Sequence, residues 1–411
     1  MIFLSGILAV ISEYNPFHNG HLKHLNTSKQ LTKADFSIAI ISGNFVQRGE
    51  PAFVDKWTRA EMALKAGFDI VIELPTIYSI SSAENFAEGA IKILNNLGIV
   101  DYLSFGSEIG EITPLNDLAN ILYREPKELS ILINQLIRTG ISYPKARELA
   151  LIEFLGSHSK YKQILNHPNN ILGIEYLKAI KKYKSTIKPI TIKREYSEHN
   201  SSTIKKGIAS STAIRTLIQK NKNVHTLIPY ESYELLEQAI QNNKIISGLK
   251  VFEKEIIYTL RRMTLPEIAS LPDVSDGLEN RIKQAVNNCN DIDTLINNIK
   301  SKNFTQTRIQ RILIYSLLGI TQKDMNISKK ITPYIRVLGF NKHGKKIISA
   351  IAKQNPKTHV IISVKKFMEN CNDSNLRNMI SKDILSTNIY TLGYKNNSTA
   401  NLDYTHKIIE I

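Results

Sequence analysis

The chain has 411 residues, room for two or three domains of about 150 residues each, and its 42% hydrophobic and 22% charged content excludes a disordered or fibrous chain. Fifty-three Lys and Arg against 37 Asp and Glu leave a formal charge of +16, which favours an anionic partner, nucleic acid or an acidic membrane surface. The two cysteines, Cys289 and Cys371, form no Cys-x-x-Cys pair, which argues against a structural zinc site or a secreted disulfide framework and for a reducing cytoplasm.

Along the chain, the apolar start at residues 1–11 has no basic leader region and no small-residue cleavage site. A run of about 11 residues is also too short to cross a bilayer, and the stretch reads as a buried parallel strand, apolar on both faces. Strands are expected at 6–11, 37–42, 70–74, 102–105 and 189–193, with amphipathic helices at 21–31, 56–66 and 83–97 among them. Asp55 is the expected N-cap of the second helix, and Gly67 and Gly98 end the second and third. This alternation predicts an α/β fold with a doubly wound parallel sheet, whose ligand lies beyond the carboxyl ends of the strands.

Residues 114–183 are mostly helical, broken by Pro126, Gly140, Pro144 and a turn at 167–170, and read as an insertion within one α/β domain, 1–243. From residue 244 the spacing of three to four at 251–263, 277–288, 307–318 and 342–353 predicts an almost entirely helical second domain, 244–411. Residues 245–411 carry 25 Lys and Arg against 14 Asp and Glu, so most of the excess positive charge falls in this helical part.

The stretch Glu13-Tyr14-Asn15-Pro16-Phe17-His18-Asn19-Gly20-His21 follows the first strand and opens the first helix. Gly20 lets backbone approach a ligand, and a helix N-terminus offers free N–H groups and partial positive charge. His18 and His21 at that mouth suit a phosphate that gains negative charge during displacement. The same pair also fits structural histidines or a metal pair, but a zinc site needs a third protein ligand and no zinc-protease motif is present, so no metal site is expected.

His18-Asn19-Gly20-His21 resembles the H-x-G-H signature of the nucleotidyltransferase superfamily, whose Rossmann-like fold is shared with class I aminoacyl-tRNA synthetases. Ala209-Ser210-Ser211-Thr212-Ala213-Ile214-Arg215 resembles the S-S-T-x-I-R element of those transferases, a helix N-terminus that binds distal phosphates; by itself it is also simply a capped helix. The Lys-Met-Ser-Lys-Ser loop is absent, which counts against an ordinary synthetase. Longer matches resemble the tRNA(Met) cytidine acetate ligases: residues 6–25 and 42–64, Phe105-Gly106-Ser107-Glu108, Pro168-Asn169-Asn170-Ile171-Leu172-Gly173 and Ile192-Lys193-Arg194. Gly277-Leu278-Glu279-Asn280-Arg281, Thr307-Arg308-Ile309-Gln310-Arg311 and Arg336-Val337-Leu338-Gly339-Phe340 extend the resemblance into the helical part, whereas about 112–155 matches nothing placed.

The resemblance implies a cytoplasmic ligase that converts acetate and ATP, together with Mg2+, to acetyl-adenylate and pyrophosphate. It then acetylates N4 of the wobble cytidine of elongator tRNA(Met). His18 and His21 are expected on the α-phosphate, with Lys23 a further phosphate contact or a surface lysine. The resemblance places the ATP site on Ile7, Leu8, Ala9, Val10, Ile11, Ser12, Glu13, Tyr14, Asn15, Pro16, Phe17, His18, Asn19 and Gly20, with Gly106, Asn169 and Arg194. Ser211, Thr212 and Arg215 join them; Asn170 rivals Asn169, and Arg194 clamps a phosphate, stacks on a base or forms a surface ion pair. The loop 43–50, with Arg48, is a candidate for tRNA or acetate contacts. Arg261, Arg262, Arg281, Arg308, Arg311, Lys345 and Lys346 are the candidate tRNA anchors, with solvated surface charge as the alternative for each. Two other readings use the same motifs: a small-molecule adenylyltransferase acting on ATP and a phosphate ester, and a catalytically silent RNA-binding protein.

Overall fold

A computed structural model of the chain describes residues 6–156, 161–194, 207–275, 277–396 and 398–411, so the first five residues of the apolar start lie outside the described residues. In chain order the strands are β1 (Ile7–Ser12), β2 (Phe36–Ser42), β3 (Phe45–Val46), β4 (Glu50–Pro51), β5 (Ile70–Leu74), β6 (Tyr102–Ser107), β7 (Lys188–Lys193), β8 (Ile335–Phe340), β9 (Val360–Ile361) and β10 (Ile409–Glu410). Five of them run parallel in the order β5-β2-β1-β6-β7. Side chains alternate between two cores: Ile7 and Ala9 of β1 face one, Leu8 and Val10 the other, and all four are at most 2% exposed. This two-sided burial is why the strands read as continuous apolar runs.

The chain winds outward from β1 through β2 to β5, then crosses back to β6 on the other side of β1. The crevice between the carboxyl ends of β1 and β6 is therefore the switch point of the sheet. Helix Asn19–Thr32 links β1 to β2. Helix Lys56–Lys65 begins at Asp55, whose side chain accepts from the Thr58 N–H, and helix Ala83–Leu97 ends on Gly98 at φ 69°, both as expected. The insertion between β6 and β7 consists of helices Ile112–Arg124, Lys127–Arg138, Tyr143–Phe154, Tyr161–Leu165 and Pro168–Lys182.

One expectation is corrected. The part after residue 244 is mostly helical, but it returns to the sheet: β8 pairs antiparallel with β5, with Glu73 opposite Arg336, and β9 and β10 pair with β8. A six-residue segment such as Ile335–Phe340, apolar apart from Arg336 and Gly339, is too short for periodicity to separate strand from buried helix. Among the described residues, no helix is long and apolar enough to cross a membrane.

Candidate active site

The first helix opens with a reciprocal cap made by two histidines. His18 is the N-cap, and its Nδ1 accepts the Gly20 N–H at 3.1 Å; the His21 Nδ1 accepts the His18 N–H at 3.2 Å. A neutral imidazole that accepts at Nδ1 carries its proton on Nε2, so the cap fixes one tautomer for both rings. The rings stack with centroids 3.7 Å apart. Burial, followed by the Arg194 guanidinium, drives the His18 pKa down to about 3, and burial with His18 and Arg194 holds His21 well below the ordinary imidazole range. The site therefore presents two neutral Nε2–H donors. Gly20 is required for this arrangement, because a Cβ there would meet the His18 Cε1 at 2.9 Å.

The cleft in front of this helix has a cavity volume of about 100 Å³. The helix contributes His18, Gly20, His21, Lys23 and His24; Gly106 comes from β6, and Ile192, Lys193 and Arg194 from the end of β7. Ile208, Ala209 and Ser210 close it from the segment leading into helix Ser211–Gln219. Gly106 leaves room for the Arg194 stem, whose Cγ would lie 3.1 Å from a Cβ at that position.

Asn169 and Asn170 are now distinguishable. Asn170 is buried, its Oδ1 accepts the Glu108 and Ile109 N–H groups, and its Nδ2 donates to the Ile164 carbonyl. Asn169 instead donates to the Glu108 carboxylate at 2.6 Å and accepts from Arg194 at 3.5 Å, so it is the one beside the cleft.

The second motif sits where expected, at the start of a helix. Ser210 caps it by accepting the Ala213 N–H at 3.1 Å. Ser211 donates to the Pro16 carbonyl at 3.5 Å, and Arg215 donates to the Asn15 carbonyl at 2.8 Å and to Thr212 Oγ1 at 3.4 Å. Asn19 donates to the Gly207 and Thr226 carbonyls, which fastens the two motifs together. By contrast, Ile7, Leu8, Ala9, Val10 and Ile11 lie in the strand interior and do not line the cleft; Tyr14 and Phe17 are core residues, and Asn15 Oδ1 accepts the Phe53 N–H. Ser12 and Glu13 end the strand and begin the loop, and the Glu13 carboxylate accepts the Gln47 N–H at 2.9 Å.

Two residues, His24 and Arg59, were not among the sequence candidates. His24, one turn after His21, has a pKa lowered to about 4 by burial and then Arg194. Its Nε2 lies 2.9 Å from Ser104 Oγ, which lies 2.7 Å from Ser28 Oγ, and Ser28 donates to the His24 carbonyl. Because the Ser28 proton is committed, Ser104 donates to Ser28 and His24 donates to Ser104. Ser210 lines the cleft beside the chosen Ser211. Arg59 is wholly buried and donates to the Val54, Glu13, Ser42 and Gly43 carbonyls, tying the carboxyl ends of β1 and β2. The repeated histidine spacing could have flagged His24; nothing local in the sequence marks Arg59.

The loop 43–50 folds as the β3–β4 ribbon against helix Gln306–Leu318, with Gln310 donating to the Glu50 carboxylate at 3.3 Å. Of the basic candidates beyond it, Arg311 is corrected: it is a largely covered ion pair with Asp273 at 2.7 Å, not a surface anchor. Arg308 donates to the Asp273 carbonyl and Ser275, and Arg281 to the Asn298 and Lys300 carbonyls. Arg261 donates to the Val286 and Cys289 carbonyls and to Asn290 Oδ1. Arg262 lies over the Tyr258 ring; Lys345 pairs with Glu410 at 2.9 Å, and Lys346 is exposed on the same helix.

Comparison with known proteins extends the picture. The HIGH Nucleotidyl Transferase family matches residues 6–404. A tRNA(Met) cytidine acetate ligase of Thermoanaerobacter sp. (strain X514) is 46% identical over 410 residues, 99% of this chain and 100% of that protein. One from Acetivibrio thermocellus is 40% identical over 413 residues, 98% of this chain and 99% of the relative. The crystal structure of Thermotoga maritima TmcAL in its apo form is similar with a TM-score of 0.94 at 32% identity, covering 99% of each chain. The same protein bound with alpha-thio ATP gives 0.90 at 31% identity, again over 99% of each.

Proposed function

The chain belongs to the tRNA(Met) cytidine acetate ligase family of HIGH nucleotidyl transferases, and from that premise we propose that it is an ATP-dependent ligase acetylating N4 of the wobble cytidine of elongator tRNA(Met). The observation that carries this reading is the reciprocal cap of His18 and His21, which leaves two fixed Nε2–H donors at a helix mouth on the switch point of the sheet. In the first step an acetate oxygen attacks the α-phosphorus, the bond to the bridging oxygen breaks and pyrophosphate leaves. Negative charge gathers on the α-phosphate oxygens, and neutral donors already held in place stabilise it without reorganising. Lys23, Arg194, Ser211, Thr212 and Arg215 are assigned to the phosphates, and Gly106 and Asn169 to the adenosine end.

In the second step the N4 amine attacks the acetyl carbonyl, the bond to AMP breaks, and the amine releases a proton. The mixed anhydride is already activated, so the protein has to hold the cytidine, unstacked from its neighbours, against it. Among the described residues, no group of three or more His, Cys, Asp or Glu is placed to hold a metal ion. Mg2+ usually keeps several waters and sits on substrate phosphates, and we assign its ligands to phosphate oxygens and water on that chemistry. In this reading residues 1–243 hold the chemistry, in the cytoplasm where the tRNA is, and 244–411 supply RNA-binding surface while lending β8 to the catalytic sheet.

The test is incubation with ATP, labelled acetate and tRNA. Label in tRNA only when ATP is present supports the ligase. AMP transfer to a phosphate ester without acetate would replace it with the adenylyltransferase, and tRNA binding without ATP turnover with the silent binder.

A further inference from the structure

Helix Glu253–Arg262 buries Ile256, Ile257 and Leu260. Its opposite side carries Tyr258, which is 62% exposed. Lys254 stands four residues before Tyr258, and Arg261 and Arg262 stand three and four after it, so they share one face. Together with Ile257 and Asn290 they line a groove whose charged residues are three cations. The Arg262 guanidinium lies 5.4 Å from the centre of the Tyr258 ring and covers part of it. Arg261 is held in place by the Val286 and Cys289 carbonyls at the end of the neighbouring helix. None of these residues takes part in the ATP cleft.

We infer that Tyr258, backed by Arg262, is a stacking platform for one unpaired nucleotide of the RNA substrate, with Lys254 and Arg261 on the flanking phosphates; the inference rests on the tRNA reading above. An exposed aromatic ring set among cations offers what a single-stranded nucleotide presents: a flat π face with a phosphate on either side. A guanidinium stacked on the ring orders it and reduces what binding must immobilise. An acidic protein surface would use the cations but has no need of the ring. Because Tyr258 lies outward, its replacement removes no core contact.

The experiment is binding of an unmodified elongator tRNA(Met) transcript to the full-length protein across a salt series. Tyr258→Ala is expected to raise Kd by about 5- to 100-fold at every salt concentration, because stacking releases no counterions. Tyr258→Phe is expected to bind like the parent. Lys254→Ala is expected to weaken binding and to flatten the salt dependence by about one unit of slope. Parent-like affinity in Tyr258→Ala, with the parent binding tRNA normally, would overturn the platform and leave the ligase reading standing. Loss in Tyr258→Phe as large as in Tyr258→Ala would also overturn it, since the hydroxyl rather than the ring would be the contact. Failure of the parent itself to bind tRNA would remove the ligase reading and the platform together.

Discussion

His18 does two things with one ring: its Nδ1 caps the helix, and the ring, with its proton left on Nε2, lines the cleft. The two roles separate by substitution. His18→Ala should lose about 1 kcal/mol of cap and also the donor, whereas His18→Asn keeps a capping oxygen without the Nε2–H. Thermal melts should recover in the Asn variant while acetate-dependent ATP–pyrophosphate exchange stays low. His21→Ala should lower that exchange by about 10²- to 10³-fold with little change in tRNA affinity; parent-like exchange would remove His21 from the mechanism. The pH dependence follows from the same rings. His18 and His24 are held at about 3 and about 4 in the fold, against an ordinary value of 6.5. The unfolded chain therefore takes up protons below about pH 6.5 that the folded chain refuses, so stability falls as pH drops from 6.5 towards 4. A bound triphosphate raises these pKa values and shrinks the loss. Melts between pH 7 and pH 5, with and without nucleotide, check both signs.

Among the elements, what the sequence made legible was whatever depends on near neighbours. The caps at Asp55 and Gly98, the parallel strands and the two motifs at 18–21 and 209–215 each lie within a few residues of their own signal. The residues that escaped depend on contacts far along the chain: Arg59 gathers carbonyls from two loops, and Asn169 parts from Asn170 because its side chain meets Glu108 and Arg194 whereas that of Asn170 meets the Glu108 and Ile109 N–H groups and the Ile164 carbonyl. Arg311 looked like a surface cation because Asp273, 38 residues away, gives no local sign. The β3–β4 ribbon is another such case. Gly49 turns it at φ 75°, and a Cβ there would meet the Arg311 backbone nitrogen at 2.3 Å. Gly49→Ala therefore strains the turn and pushes the ribbon off helix Gln306–Leu318. The expected loss is about 1–3 kcal/mol, read as a lower midpoint in urea with an unchanged slope.

At the scale of the whole molecule, the two halves are joined by charges that water does not reach. Lys56 and Glu73 come from the first half; Arg336, Asp383 and Asp403 come from the second. Lys56 pairs with Glu73 at 3.0 Å and with Asp403 at 2.7 Å, and Arg336 pairs with Glu73 at 3.1 Å and also with Asp403. No side chain among these four is more than 5% exposed. Two cations thus face two carboxylates. The third carboxyl, Asp383, is raised to about 7 by burial and by Glu73, and it bonds to Tyr334 and to the Thr76 N–H. Such a cluster adds little net stability when complete, but removing one member strands its partners in a medium that cannot solvate them. Arg336→Met is expected to cost about 3–5 kcal/mol, because Glu73 and Asp403 both lose a cation while β8 keeps its apolar packing. Arg336→Lys keeps the charge but not the fork that spans two carboxylates, so it should fall between Met and the parent. Because β8 belongs to the sheet that carries the cleft, the ranking parent, Lys, Met should appear in one calorimetric transition, with nucleotide shifting all three upward. If Arg336→Met instead lowered only a separate transition that nucleotide leaves unmoved, the cluster would be a local feature of the second half and not the joint that holds the two together.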